Sequence, residues 1–207
     1  MNPNNTKELE LAFTEMRALW KYPGSGPHAI TVKNAKHLDC YFNSDLVCDK
    51  PKLVEELCAK YFVPYLNSKN ITPDYVVSYV PYGLVFGKEL AKQIDAKFEC
   101  IDLTNPHELE ICSKDRVLVI ADDIYGGGST RETISLVENK SGQVENLIIV
   151  LANMSNSPTL DERDIYSLIS PQVRFWTRDE DSPLPKDSQG LSARDKWDEL
   201  VDYSKKL

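Results

Sequence analysis

Basic charge is the first thing this sequence is short of. Lysine and arginine number 24 against 32 aspartates and glutamates, a formal net charge of −8. A surface that grips nucleic acid or an anionic membrane needs clustered cations. Neither is therefore expected as a partner, although a local basic pocket stays open. Long apolar runs are missing as well, and none nears the roughly 20 residues of a membrane span. The opening MNPNNTKELELAF has neither the basic start nor the apolar centre of a signal peptide. Histidine is scarce, at three, and the five cysteines (Cys40, Cys48, Cys58, Cys100, Cys112) form no CxxC pair and have no histidine at metal-ligand spacing. That scatter argues against a zinc site or a disulfide framework and leads us to expect reduced thiols in a cytoplasmic protein.

What is present suits an α/β domain. The chain has 207 residues, 42% of them apolar, enough for one domain with a sizeable core. Residues 6–20 place Leu9, Phe13, Met16 and Trp20 on one helical face, and Pro51 opens a second helix over 51–62. From Asp74 the rhythm changes. YVVSYV, KFECID, RVLVIA and NLIIVLA read as buried strands, separated by the helical patterns LVFGKELAKQI and TRETISLVENK. Strands alternating with helices of that length imply parallel βαβ units. A short strand, VRFW, precedes an acidic stretch from Arg178 to Gly190 that reads as a loop or arm, and a last helix from Ser192 buries Trp197, Leu200 and Val201.

The informative stretch is RVLVIADDIYGGGSTRE, residues 116–132. In an open parallel sheet, ligands bind beyond the carboxyl ends of the strands, where Asp122 and Asp123 fall. The glycines Gly126, Gly127 and Gly128 allow a sharp turn and a close approach of backbone N–H groups to a ligand. A helix beginning near Thr130 adds an electropositive terminus, with Ser129 and Thr130 as caps or phosphate donors. Two carboxylates beside a phosphate cradle suit sugar hydroxyls, or a Mg²⁺ that neutralises them. No lysine precedes Ser129, so this is not the nucleotide P-loop.

This segment resembles the phosphoribosyl-pyrophosphate (PRPP) motif of the type I phosphoribosyltransferases: an apolar strand, two acids, two apolar residues and a small-residue loop. Upstream, VKNAKHLDCYFN is similar to the orotate phosphoribosyltransferase pattern Leu-Lys-Ser-Gly-Arg-x-Ser-Pro-Tyr-Phe-Phe-Asn, and DYVVSYVPYGLVFGKELA to the strand, pyrophosphate loop and helix that follow it. The likeness covers about residues 30–153 and implies a parallel twisted sheet flanked by helices, with a small N-terminal hood. It divides the chain into 1–45 (helix and hood), 46–177 (α/β core) and 178–207 (C-terminal arm and helix). It further implies that Asp122 and Asp123 hold the ribose and that residues 126–130 wrap the 5′-phosphate. Lys33 and the loop of Val80, Pro81, Tyr82 and Gly83 then hold pyrophosphate with Mg²⁺, and Tyr41 and Phe42 flank the base. Relatives in this branch are commonly homodimers.

Three departures shape the expected activity. The orotate enzymes carry a mobile loop rich in lysine, arginine and glycine between the second and third core strands. Here that interval, IDLTNPHELEICSKD, has only Lys114 against four acids, and no glycine lies between Gly87 and Gly126. His107 lies in that interval, where it could donate a proton or a hydrogen bond. After the fourth strand the orotate enzymes carry Asp-Arg; this chain has Ala152 and Asn153. Gly126 stands where purine-type relatives carry an aspartate. The resemblance, with its departures, implies a PRPP-dependent phosphoribosyltransferase acting on a nitrogenous base other than orotate. The alternative is a catalytically inactive PRPP- or nucleotide-binding regulatory module.

Overall fold

The computed structural model describes residues 3–31, 36–81, 83–104, 109–177, 183–185 and 188–204. Lys33, Tyr82, His107 and most of the acidic stretch 178–190 lie outside them. The chain divides into two compact units, one made of residues 1–43 with 170–207, the other of residues 44–169.

The first unit begins with helix α1 (Pro3–Glu15), followed by the short strands β1 (Leu19–Lys21), β2 (His28–Ile30), β3 (His37–Leu38) and β4 (Cys40–Phe42). The helix expected over 6–20 stops early. Ala18 N–H bonds Phe13 O at 2.8 Å and Arg17 N–H bonds Thr14 O at 2.9 Å, while Arg17 takes a left-handed φ of 65°. This is a Schellman stop with arginine in the place glycine usually fills. Arg17 is held there by Asp198 at 3.0 Å and Asp202 at 2.9 Å. Leu19 and Trp20 are then buried from a strand instead, with Leu19 opposite Phe42 in the antiparallel β1–β4 pair.

The second unit opens with α2 (Asp45–Cys48) and α3 (Pro51–Leu57), which runs through a π-helical turn (Cys58–Phe62) into α4 (Val63–Ser68). The expected helix over 51–62 thus continues past Pro64. Proline supplies no N–H to the ladder, and a wide turn just before it absorbs the mismatch. Next come β5 (Tyr75–Tyr79), α5 (Leu84–Gln93), β6 (Lys97–Ile101), β7 (Arg116–Ile124), α6 (Gly128–Asn139), β8 (Gln143–Asn153), β9 (Thr159–Leu160) and β10 (Arg163–Ile169). They form one sheet in the order β6-β5-β7-β8-β10-β9, parallel apart from the β9–β10 hairpin. The parallel twisted sheet flanked by helices is the expected α/β architecture. β10 is a fifth parallel strand that the sequence pattern did not announce.

Alternation along β7 sorts its residues between two layers. Val117, Val119 and Ala121 join Ile148, Val150, Ile134 and Val137 in one apolar cluster, which also takes in Leu109 and Ile111. On α5, Gly87 lies so close to Phe98 and Ile120 that an added Cβ would stand 2.3 Å and 3.1 Å from them. Glycine is required there because the helix sits directly on the sheet.

After β10 the chain returns to the first unit through β11 (Phe175–Trp176), β12 (Gly190–Ser192) and α7 (Trp197–Ser204). These complete a four-stranded sheet, β11-β3-β2-β12, in which β12 runs parallel to β2. The last helix begins at Trp197 rather than Ser192, which is a β-residue, and it buries Trp197, Leu200 and Val201 as expected. Within this unit His28 Nε2 lies 2.5 Å from His37 Nδ1, and His28 Nδ1 lies 2.8 Å from Ser188 Oγ. Ser188 Oγ donates to Gly26 O at 2.7 Å, so His28 must donate to Ser188 and accept from His37. Both rings lie tilted against Trp176, with centroids 5.3 and 5.8 Å from its ring.

Candidate functional site

The carboxyl end of β7 carries the acids. β7 pairs with β8 up to Asp123↔Ala152 and Ile124↔Asn153, so both aspartates belong to the strand rather than to the loop after it. Adjacent strand residues face opposite ways, and the two differ accordingly. Asp122 is 2% exposed and accepts a hydrogen bond at Oδ2 from Ser44 Oγ. Asp123 keeps part of its surface accessible. Burial pushes the Asp122 carboxyl up to about 6, against the pull of the Ser44 hydrogen bond and nearby amides. Asp123 is pushed well up as well, by its packed surroundings first and then by Asp122 and Asp45. Three carboxyls crowd this end of the sheet, an arrangement that favours a ligand offering hydroxyls or a cation. Cys48 is no nucleophile, because burial and then Asp122 raise its thiol to about 12.

Beyond Ile124 the chain makes the turn that the glycines foretold, with one difference. Helix α6 starts at Gly128, two residues earlier than expected, and its N-cap is Gly127 in the left-handed region at φ 72°. Ser129 and Thr130 therefore occupy its first turn and are not the cap; no side chain caps this helix. The first amides of a helix lack partners of their own, and among the described residues no side chain satisfies them. A Cβ at Gly127 would stand 2.5 Å from Leu160 Cδ1, so both the φ and the packing demand glycine. Thr130 is buried at 1% exposure, while Gly126 and Gly128 are exposed.

At the end of β5, the expected pyrophosphate loop is partly spent on its own backbone. Val80 N–H bonds Ile101 O at 2.9 Å and Gly83 N–H bonds Tyr79 O at 3.2 Å. Pro81 follows a cis peptide bond and has no N–H. Among the described residues, the donors left at this end are the first-turn amides of α5, whose N-cap Gly83 brings no side-chain cap. Beneath them Ser78 Oγ is fully buried without a hydrogen-bond partner among the described residues, packed against Gly83, where a Cβ would stand 1.6 Å away.

Tyr41 and Phe42 belong to β4 in the first unit. Phe42 is 1% exposed and packs edge-on against Phe13 at 5.5 Å. Tyr41 keeps some exposure and lies 5.7 Å from Trp197. Asn153, where the orotate enzymes have arginine, is spent locally: Nδ2 donates to Ser157 O at 2.7 Å, and Oδ1 accepts from Ser155 Oγ at 2.7 Å.

Two residues of the site went unmarked in the sequence. Ser44 meets Asp122 from 78 residues away, and nothing local signals that. Arg131 does leave a signal. A cation in the first turns of a helix opposes the helix dipole, so its placement calls for another cause. Its Nη1 donates to Gly126 O at 2.7 Å, and its Nε reaches both oxygens of Asp161 at 3.0 and 2.8 Å.

Among the described residues no group of three His, Cys, Asp or Glu side chains could hold a metal by itself, and no helix is long and apolar enough to cross a membrane. No protein-family model matches the chain. By sequence it is 26% identical over 165 residues to orotate phosphoribosyltransferase of Chlorobium phaeobacteroides, covering 77% of this chain and 83% of that protein. By structure it resembles orotate phosphoribosyltransferase from Aeropyrum pernix, with a TM-score of 0.60, 14% identity, and 78% and 93% of the two chains covered. It also resembles adenine phosphoribosyltransferase from Leishmania donovani, with a TM-score of 0.55, 14% identity and 92% of each chain covered. The chain has the type I phosphoribosyltransferase fold, and among its curated relatives by sequence are orotate phosphoribosyltransferases.

Proposed function

We propose that this chain is a PRPP-dependent phosphoribosyltransferase that transfers ribose 5-phosphate to a nitrogenous base other than orotate. A ring nitrogen of the base attacks ribose C1, the bond from C1 to the pyrophosphate oxygen breaks, and pyrophosphate leaves with the electron pair. The observation that carries this reading is the uncapped start of α6, seated by the left-handed Gly127 directly beyond Asp123. In this reading the amides and hydroxyls of 126–130 take the 5′-phosphate, and Asp123, with Asp122 behind it, takes the ribose hydroxyls. The first turn of α5, with Lys33, takes the pyrophosphate. Asp122 and Asp123 are hard oxygen donors that fit Mg²⁺ only together with ligand oxygens, which PRPP supplies. When bound, the metal would offset the charge on the departing pyrophosphate. The assignment of Tyr41 to the base rests on the resemblance. Asn153 supports a base other than orotate, since its amide is already engaged with Ser155 and Ser157 and offers no positive charge to a carboxylate. Five unpaired thiols fit a reducing compartment such as the cytoplasm. A homodimer is the expected assembly.

A second reading has its own support. Leu109 and Ile111, at the end of the interval where the orotate enzymes keep a mobile cationic loop, are buried in the sheet's apolar cluster. That anchoring favours a module that binds PRPP or its nucleotide without turnover. Calorimetry with Mg²⁺–PRPP, followed by a pyrophosphate-release assay over a panel of bases, separates the two. Release with one base establishes the transferase. Binding without release for any base establishes the module, and absence of PRPP binding overturns both.

A further inference from the structure

Arg131 ties three things together. Its Nη1 holds the Gly126 carbonyl at 2.7 Å, its Nε holds both oxygens of Asp161, and Asp161 sits in the tight turn between β9 and β10. That turn is strained: Asp161 and Glu162 both take left-handed φ values, 49° and 68°. Neither is glycine, so each carries a cost that the surroundings must offset. The same hairpin sends Leu160 against Gly127, leaving no room for a Cβ. The β9–β10 hairpin thus braces the glycine loop from outside, and Arg131 is the tie.

The tie has a chemical consequence. A planar trans peptide points its C=O and N–H in opposite directions. Holding the Gly126 carbonyl therefore fixes the direction of the Gly127 N–H. Three successive glycines make rotation of that peptide cheap, and the rotated form would turn a carbonyl toward an anion in place of a donor. We infer that Arg131 is a positioning residue for the phosphate cradle, clamping the Gly126–Gly127 peptide in its anion-binding orientation with Asp161 as anchor. The inference rests on the reading of 126–130 as a phosphate site and adds a residue to it.

The clamp differs from simple electrostatic attraction in the sign of one result. If Arg131 acted only through its charge, Asp161→Asn would remove a nearby negative charge and tighten phosphate binding. The clamp predicts the reverse, because the anchor is lost. The experiment is titration of ribose 5-phosphate and, separately, of pyrophosphate into the full chain and into Arg131→Gln, Arg131→Lys and Asp161→Asn, followed by calorimetry and by the ¹⁵N shift of Gly127. Arg131→Gln is expected to weaken ribose 5-phosphate about tenfold, the scale of a lost charge-assisted hydrogen bond, and to leave pyrophosphate unchanged. Arg131→Lys, which keeps the charge without the fork, and Asp161→Asn should both weaken it and move the Gly127 amide. An exposed ion pair contributes little to stability, so melting temperatures report that each variant folds. Unchanged ribose 5-phosphate affinity in Arg131→Gln, full recovery in Arg131→Lys, or tighter binding in Asp161→Asn overturns the clamp and leaves the phosphate site standing. Wild-type protein that binds no ribose 5-phosphate overturns the phosphate site and the clamp with it.

Discussion

Ser44 Oγ donates its hydrogen bond to Asp122 Oδ2, joining the start of α2 to the end of β7. This bond opposes the burial that lifts the Asp122 carboxyl. Ser44→Ala should raise that carboxyl further and leave Asp122 less able to accept from a ribose hydroxyl. We expect Mg²⁺–PRPP affinity to fall about tenfold, or ~1–2 kcal/mol, the usual worth of a hydrogen bond to a charged group. Calorimetry on the variant checks it, and unchanged affinity would remove Asp122 from the ribose side.

Gly83 and Ser78 should behave as a coupled pair. A methyl group at 83 would stand 1.6 Å from Ser78 Oγ and 2.8 Å from its Cβ. Gly83→Ala is expected to cost ~2–4 kcal/mol of stability through overpacking. Ser78→Ala, which removes a buried hydroxyl without a partner, should be neutral or stabilising. Combining Gly83→Ala with Ser78→Gly, which removes both Oγ and Cβ, should recover much of the loss. Urea unfolding of the full double-mutant cycle measures the coupling, and simple additivity would show that the loop yields around Gly83.

The histidine pair sets an acid limit on the first unit. Burial, and then the neighbouring His37, lower the His28 pKa from 6.5 to about 4. The folded state therefore binds the proton less readily than the unfolded chain. The stability that neutral His28 contributes is fully present above pH 6.5 and is lost as the pH falls toward 4. Protonation would also make Nε2 a donor facing His37 Nδ1. Thermal melts between pH 4 and 7 should show stability falling with acid, and His28→Gln should flatten that slope.

Phe42→Ala and Tyr41→Ala should separate packing from recognition. Phe42 is buried against Phe13, so its truncation should cost ~3–5 kcal/mol of stability. Tyr41→Ala should cost well under half of that. If Tyr41 serves the base, its variant raises the KM for the base while PRPP affinity holds. An unchanged KM for every base that turns over would remove it from the site.

The core sheet was legible because its strands are short apolar runs bounded by clear turns. YVVSYV and KFECID fall within a residue of β5 and β6, while RVLVIA is the first part of the longer β7 and NLIIVLA lies inside the longer β8. β10 escaped because RDIYSLI mixes charge with its apolar residues at a sheet position where the alternation is incomplete. The end of α1 escaped because arginine, and not glycine, makes its left-handed stop, and only Asp198 and Asp202, far along the chain, hold it there. In the candidate site, the acids and glycines were visible because one strand–loop–helix segment carries them. Ser44, the occupied amides of Val80 and Gly83, and the tie from Arg131 to Asp161 depend on tertiary contacts that no local pattern encodes.

The parallel pairing of β2 with β12 has a consequence for how the chain is made. His28–Ile30 leave the ribosome before residues 44–169, and their partner Gly190–Ser192 leaves only after them. Residues 44–169 are contiguous, so every strand of the six-stranded sheet is available once Ile169 has cleared the tunnel. Translation order therefore lets the unit of residues 44–169 close first, while the edge of β2 that β12 covers waits unpaired. A pause of the ribosome downstream of Ile169 would lengthen that wait and widen the interval in which a nascent chain can mispair.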